Sequence, residues 1–371
     1  MLLPIFLTLI RANVFSYASL FSLLDSPEGL AFLQGDLQAI KVLNPHQRRA
    51  FENVSLKAVA ADIEWLKQKG HFLLTCVDEG YPDLLRHIPD PPIALFGKGK
   101  AEYLHSLKMG VVGSRSASVT GLKTAEAFAE SLSREGITVV SGLAMGIDTA
   151  AHQGALMGKG STIAVCGTGL DIIYPKSNGT LAEAIAEEGL LLSEYPPGTA
   201  PIARNFPIRN RIISGLSLGI LVVEANLKSG SLITARLAAE QGRDVFAIPG
   251  SIHSSYARGC HKLIQEGAKL VSVPDDILEE LPPLSRTLSS KASKKQALPP
   301  LEKIETAPIY SIDCPEIKQI LACMNAGEPV NVEMLFLRTG FEVQSLNCHL
   351  VTLELQGIIQ KTQGNGYIKI G

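Results

Sequence analysis

The sequence is poor in the features that most directly reveal a function. Its six cysteines, in 371 residues, form no Cys-x-x-Cys pair and no Cys/His spacing of a zinc site, so no structural metal is expected. Cys166, inside an apolar run, reads as a small core hydrophobe, and this cysteine usage fits a reducing, cytoplasmic compartment. Neither sign of charge dominates: 34 Lys and Arg against 36 Asp and Glu leave a formal net charge of −2. Any binding to nucleic acid must therefore come from a local basic patch. The apolar start, Met1 to Ile10, is too short to span a bilayer and lacks the basic leader and cleavage site of a signal peptide. It is expected to be a packed helix, with no membrane as partner.

Familiar phosphate motifs are also missing. A dinucleotide fold wants G-x-G-x-x-G after its first strand and an acidic residue closing the second, to hold a ribose. Here those places hold Gly113-Ser114-Arg115-Ser116 and Ser141-Gly142, which argues against NAD. Around Gly158-Lys159-Gly160 a Walker loop fails twice, with Gln153 at the first glycine position and Gly160 at the hydroxyl position that would hold magnesium. Asp148 and His152 lie four apart with no third ligand or nucleophile, so a helix-start carboxylate and a buried, hydrogen-bonded imidazole are expected there. No catalytic set and no cofactor site emerge.

What is present is a repeated pattern. Apolar runs near 109–113, 137–141, 162–166, 190–194, 219–224, 244–248 and 269–273 alternate with helical stretches, and those near 109–113, 137–141, 162–166 and 219–224 stop in turns of glycine and hydroxyl residues. Such alternation predicts a doubly wound, Rossmann-like α/β sheet over 105–281, with 46% apolar residues ample for its core. Before it, 1–70 reads as a small all-helical module and 71–104, dense in proline, as an extended connector. After it, 282–308 reads as a polar Pro/Ser/Lys linker. Residues 309–371 read as three helices and a hairpin turned at Gly364-Asn365-Gly366, a winged helix. That last unit holds four basic and six acidic residues, so protein contact or structural support is expected of it more than DNA reading.

In a doubly wound sheet, ligands bind at the carboxyl ends of the strands, where bare N–H groups and helix starts face an anion. Arg115 sits in the first such turn, placed to fork onto a phosphate. Between Glu194 and Glu224 there are three arginines and no acid, including Phe206 with Arg209-Asn210-Arg211, a combination suited to a backbone with stacked bases. Lys228-Ser229-Gly230-Ser231 opens a helix, with Ser231 expected as its N-cap and Lys228 as a phosphate contact. Gly167-Thr168-Gly169 and Tyr174-Pro175-Lys176-Ser177-Asn178 add donors on the same edge. The pattern is that of a binder of a phosphate polymer.

These residues together resemble the DprA/Smf DNA-processing proteins. The resemblance runs through Gly113-Ser114-Arg115, Ser141-Gly142 to Gly146 and Asp148, Gly167 and Gly169, Tyr174-Pro175 with Asn178, Phe206 with Arg209-Asn210-Arg211, Ser229-Gly230-Ser231 and Phe246 to Gly250. It implies an extended Rossmann domain flanked by a sterile-alpha-motif-like N-terminus and a winged-helix C-terminus. It further implies binding of single-stranded DNA without strong sequence preference, self-association to a homodimer, and loading of RecA onto DNA in natural transformation. The DNA would lie along Arg115, the glycine turns, Lys176, Arg209, Arg211 and Lys228, and partner contacts would fall near 259–273, at Leu263, Ile264 and Leu270. One departure is Gly179-Thr180 after Asn178, where relatives often carry a basic residue. A phosphoribohydrolase-like enzyme on the same fold is the alternative, although its Pro-Gly-Gly-x-Gly-Thr and paired glutamates are not evident; a sensor of a small nucleotide is a third reading.

Overall fold

A computed structural model describes residues 3–281 and, beyond them, 315–324, 330–341, 346, 350, 353, 358–361 and 366–369. The chain packs as two units, Met1–Leu284 and Ser285–Gly371.

The first unit opens with five helices, α1 (Leu3–Ala12), α2 (Tyr17–Leu24), α3 (Pro27–Leu33), α4 (Pro45–Glu52) and α5 (Leu56–Leu66). Local chemistry sets their starts. Ser16 and Asn44 each close a capping box, with Ser19 and Gln47, while Ser26 caps α3 ahead of a proline. The apolar start forms α1, whose residues Ile5 to Ile10 are all buried. Each such leucine or phenylalanine contributes about 2 kcal/mol on burial, which explains an apolar run without a membrane.

Nine strands follow: β1 (His71–Thr75), β2 (Ala94–Gly99), β3 (Lys108–Val112), β4 (Thr138–Ser141), β5 (Thr162–Cys166), β6 (Leu190–Ser193), β7 (Gly219–Val222), β8 (Asp244–Ala247) and β9 (Lys269–Leu270). They form one sheet in the order β1-β2-β6-β5-β4-β3-β7-β8-β9. From β6 to β9 every pairing is parallel, whereas β2 runs antiparallel to β6 and β1 antiparallel to β2. The seven parallel strands are those read from the sequence. Residues 71–104, read as a connector, supply two more, because the prolines lie between Phe72-Leu-Leu and Ala94-Leu-Phe and leave both runs free to pair. A short helix, α6 (Asp83–Arg86), joins them.

The remaining helices are α7 (Val119–Arg134), α8 (Ile147–Ala155), α9 (Gly179–Glu188), α10 (Asn205–Leu216), α11 (Ser231–Glu240), α12 (Arg258–Gln265) and α13 (Asp275–Leu278). Successive residues of the central strands divide between two cores, as a two-residue period demands. Val111, Val139 and Leu221 join Ala125, Ala129 and Ala150 of α7 and α8. Val112, Val140 and Val222 join Ile212, Ile213 and Ala235 of α10 and α11. Winding turns back between β3 and β7, and the crevice at their carboxyl ends is the switch point of the fold.

Packing does not break at 70/71. Trp65 of α5 stacks on His71 of β1 at 4.0 Å and meets Phe96 of β2 edge-on at 6.0 Å, so helices, hairpin and sheet share one core.

In the second unit, helices Pro315–Ala322 and Val332–Thr339 accompany a three-stranded antiparallel sheet of Val330–Asn331, Gly366–Lys369 and Ile359–Lys361. Leu346, Leu350 and Leu353 are helical and buried beside Ile317, Ile320 and Leu335. The linker read at 282–308, the tip of the hairpin and the rest of the third helix lie outside the described residues.

Candidate nucleic-acid interface

At the switch point lies a cleft of about 670 Å³, lined by the turn Gly113 to Ser116, by Asp148, by Phe206, Arg209 and Asn210 of α10, by Lys228 to Ser231 and by Tyr256. Glycines let its walls approach. A Cβ on Gly113 would lie 2.5 Å from the Ile147 side chain. Gly146 has φ +78°, and a Cβ there would meet the Ser114 carbonyl oxygen at 2.3 Å. The turns after β3 and β4 are thereby clasped, with Ile147 N–H donating to Ser114 O at 3.1 Å.

Arg115 is exposed on the rim, its guanidinium carbon 5.9 Å from the centre of the Phe206 ring. Phe206 in turn meets Tyr174 at 5.3 Å between centroids, and Tyr174 is half-exposed. Gly167 supports this platform, because a Cβ there would press 2.9 Å from the Phe206 ring. Lys228, three residues before α11, also lines the cleft and is exposed. Among the described residues no ion pair engages Arg115 or Lys228.

α11 begins at Ser231, so the cap position falls on Gly230 and not on Ser231 as expected. Ser229 takes over instead: its Oγ accepts the Ser231 N–H at 3.3 Å and lies 2.6 Å from the Ser231 hydroxyl. A backbone already helical at Gly230 moves the start one residue earlier than the hydroxyl pattern implied.

Other expected residues are close by yet turned inward. Arg209 is 3% exposed and donates from Nη1 to Gly142 O at 2.8 Å and to Val165 O, tying the carboxyl ends of β4 and β5 beneath the cleft. Burial lowers its pKa, with Asp148 acting the other way. Asp148 Oδ2 accepts the N–H of Gly142 at 3.1 Å, and burial raises its pKa against the pull of Arg209. His152 is enclosed between the Leu143 N–H, at 3.2 Å, and the Thr162 hydroxyl, at 2.7 Å. Burial pushes it down to about 3, so it is a neutral structural imidazole near pH 7. Ser141 Oγ donates to Val111 O at 2.7 Å, and Asn178 Nδ2 to Leu143 O at 2.9 Å; both are buried. Gly169 abuts Asp171, and exposed Lys176 lies outside the cleft lining.

Arg211 departs furthest from expectation. Its guanidinium forks onto Glu194 at 2.5 and 2.9 Å and also reaches Asp90 at 3.1 Å, leaving the side chain 12% exposed. The segment free of acids is thus answered by the acid at its own boundary, and Arg211 is withdrawn from the cleft. Arg211→Ala is expected to cost about 2 kcal/mol of stability, a melting point roughly 4–8 °C lower, with no change in the salt dependence of DNA binding. Thermal melts with an oligothymidine titration check this.

Among the described residues no three His, Cys, Asp or Glu side chains cluster to hold a metal ion, and no helix is long and apolar enough to cross a membrane.

A family model described as DNA recombination-mediator protein A matches residues 72–282. The chain belongs to the DprA/Smf family. A second model of that family, the DprA winged helix domain, matches residues 305–365, which makes the second unit of this DprA/Smf chain a winged helix. Protein Smf of Escherichia coli is 41% identical over 334 residues, covering 88% of this chain and 85% of its own. The crystal structure of DNA processing protein A from Streptococcus pneumoniae is 40% identical with a TM-score of 0.67, over 76% of this chain and 99% of that one. A structure of DNA processing protein A from Helicobacter pylori, concerned with its single-stranded DNA binding mode, is 30% identical with a TM-score of 0.51, over 56% and 94% of the two chains. The family model starts at residue 72, within β1, in keeping with a sheet that includes the hairpin.

Within this DprA/Smf site, sequence reasoning passed over three contributors. Asn226 takes the Lys228 N–H at 2.9 Å, Tyr256 O takes the Ala225 N–H at 2.8 Å, and Glu224 crosses to α7. Only Glu224 had any local signal, as the last residue of an apolar run.

Proposed function

We propose that the cleft binds single-stranded DNA without strong sequence preference, and that the chain protects such DNA and loads RecA onto it, acting in the cytoplasm without catalysis of its own. The observation that carries this reading is the pair of exposed cations, Arg115 and Lys228, both lining a cleft whose one carboxylate, Asp148, is buried and engaged by backbone N–H groups. Phosphates have donors there and meet no exposed acid. Tyr174 and Phe206 offer faces on which any base can stack, a contact worth about 1–3 kcal/mol per base. The relative from Helicobacter pylori, with its single-stranded DNA binding mode, supports the choice of polymer. Self-association and RecA contact are assigned to the 259–273 region. There Leu270 is 48% exposed on the two-residue edge strand β9, while Leu263 and Ile264 are half-buried against the core.

A mobility shift of oligothymidine against duplex of equal length, with and without RecA, tests the proposal. Preferential binding of the single strand, and RecA filaments forming on strands already coated, are the expected results. Equal affinity for duplex, or base released from nucleoside monophosphates, would overturn it.

A further inference from the structure

In a doubly wound sheet the helix after the first central strand aims its N-terminus at the crevice, and a bound nucleotide sets its phosphates there. In this chain that helix is α7, and the place in front of it is filled by the chain itself. Glu224, two residues beyond the end of β7, turns its carboxylate onto the start of α7. Oε2 accepts the backbone N–H of Ser118 at 2.8 Å and Oε1 accepts the Ser118 hydroxyl at 2.6 Å. Ser118 is the N-cap of α7, its own Oγ accepting the Gly121 N–H at 3.0 Å. The fit is close: a Cβ on Gly121 would stand 2.3 Å from the carboxylate carbon and 2.5 and 2.7 Å from its oxygens. The main chain of Glu224 is held as well, its carbonyl accepting the Ser114 N–H at 2.8 Å.

We propose that Glu224 is a specificity-determining residue, whose carboxylate stands where a nucleoside phosphate would otherwise be received and so bars mononucleotides from the start of α7. A fixed negative charge at α7 repels a free phosphate and satisfies the donors that would attract one. The route between Arg115 and the start of α11 is left as the track for phosphates. That last clause rests on the single-stranded DNA reading; the exclusion at α7 does not.

Removing the side chain should convert the exclusion into a vacancy with a ready set of donors. Glu224→Ala is expected to melt below the parent chain. Inorganic phosphate, or dTMP, should restore part of the loss relative to chloride at equal ionic strength, by roughly 3 °C at a tenfold excess over its dissociation constant. The parent chain should respond to phosphate and chloride alike, and so should Glu224→Gln, which keeps the space filled. If Glu224→Ala folds too poorly to purify, Glu224→Ser opens the same space and retains a hydroxyl. A variant whose melting point gains no more from phosphate than the parent does overturns the proposal, as does an equal gain in Glu224→Gln. Failure of the parent chain to bind oligothymidine would defeat the single-stranded DNA reading alone, since the phosphate response is measured without DNA.

Discussion

A chain carrying Arg209→Met is expected to lose about 3–5 kcal/mol of stability and to melt about 10 °C lower, the largest effect of any single substitution proposed for this molecule. Methionine keeps the aliphatic stem and removes only the cation, so lost packing adds little. What remains is costly. The carbonyls of Gly142 and Val165 lose their donor, and the buried carboxylate of Asp148 loses the positive charge that had offset its burial. The pH dependence then carries a signature. Asp148 already has a folded pKa above the usual carboxylate value, and without Arg209 it rises further. A raised carboxyl pKa means that the folded state binds the proton more tightly than the unfolded one, so stability recovers as pH falls through the folded value toward 3.8. The deficit of the variant relative to the parent should therefore narrow as the pH falls toward 3.8. Urea melts at several pH values measure this, and a loss below 1 kcal/mol, or a deficit independent of pH, would count against a buried Arg209–Asp148 couple. Because α10 also carries Phe206 and Asn210, oligothymidine binding should weaken in the same variant.

The second large effect is on binding alone. Arg115→Ala combined with Lys228→Ala is expected to weaken oligothymidine binding about tenfold to a hundredfold at physiological salt, and to flatten the log–log salt dependence by about 1.4, two phosphates at about 0.7 each. Stability should stay within about 0.5 kcal/mol of the parent, since both side chains are exposed and outside the ion pairs. Mixed-sequence strands should suffer as much as oligothymidine. An unchanged salt slope would remove both residues from the interface. Together with Arg211→Ala the variants form a contrast: one set loses affinity and keeps stability, the other the reverse.

The parts of this molecule that could be read from its sequence are those written in short-range pattern. β3 to β9 are apolar runs alternating with helical stretches, four of them ended by glycine and hydroxyl turns, and Arg115 and Lys228 stand in such turns at the cleft. The β1–β2 hairpin escaped because β2 finds its second neighbour, β6, roughly a hundred residues downstream, a pairing with no local trace. Arg209 and Arg211 were read alike because sequence gives residue type and not direction. Two apart on a helix, they point about 200° apart, one under the cleft and the other to Glu194. Asn178 and Ser141 were likewise assigned to the site by their motif, whereas their side chains serve neighbouring backbone carbonyls. Glu224 and Ser118 are 106 residues apart, and nothing near either one announces the other.

The antiparallel hairpin also bears on the order in which the molecule can be completed on the ribosome. β2 leaves the tunnel early, while Leu190–Ser193, the strand that covers its far side, is still to be made. At about 5–20 residues per second, that interval lasts about 5–20 s. Throughout it, the edge of Phe96-Gly97-Lys98-Gly99 that faces β6 in the finished sheet has no backbone partner, although Phe96 and Gly97 end up buried. Synthesis thus leaves open, for seconds, a strand edge that the finished sheet covers.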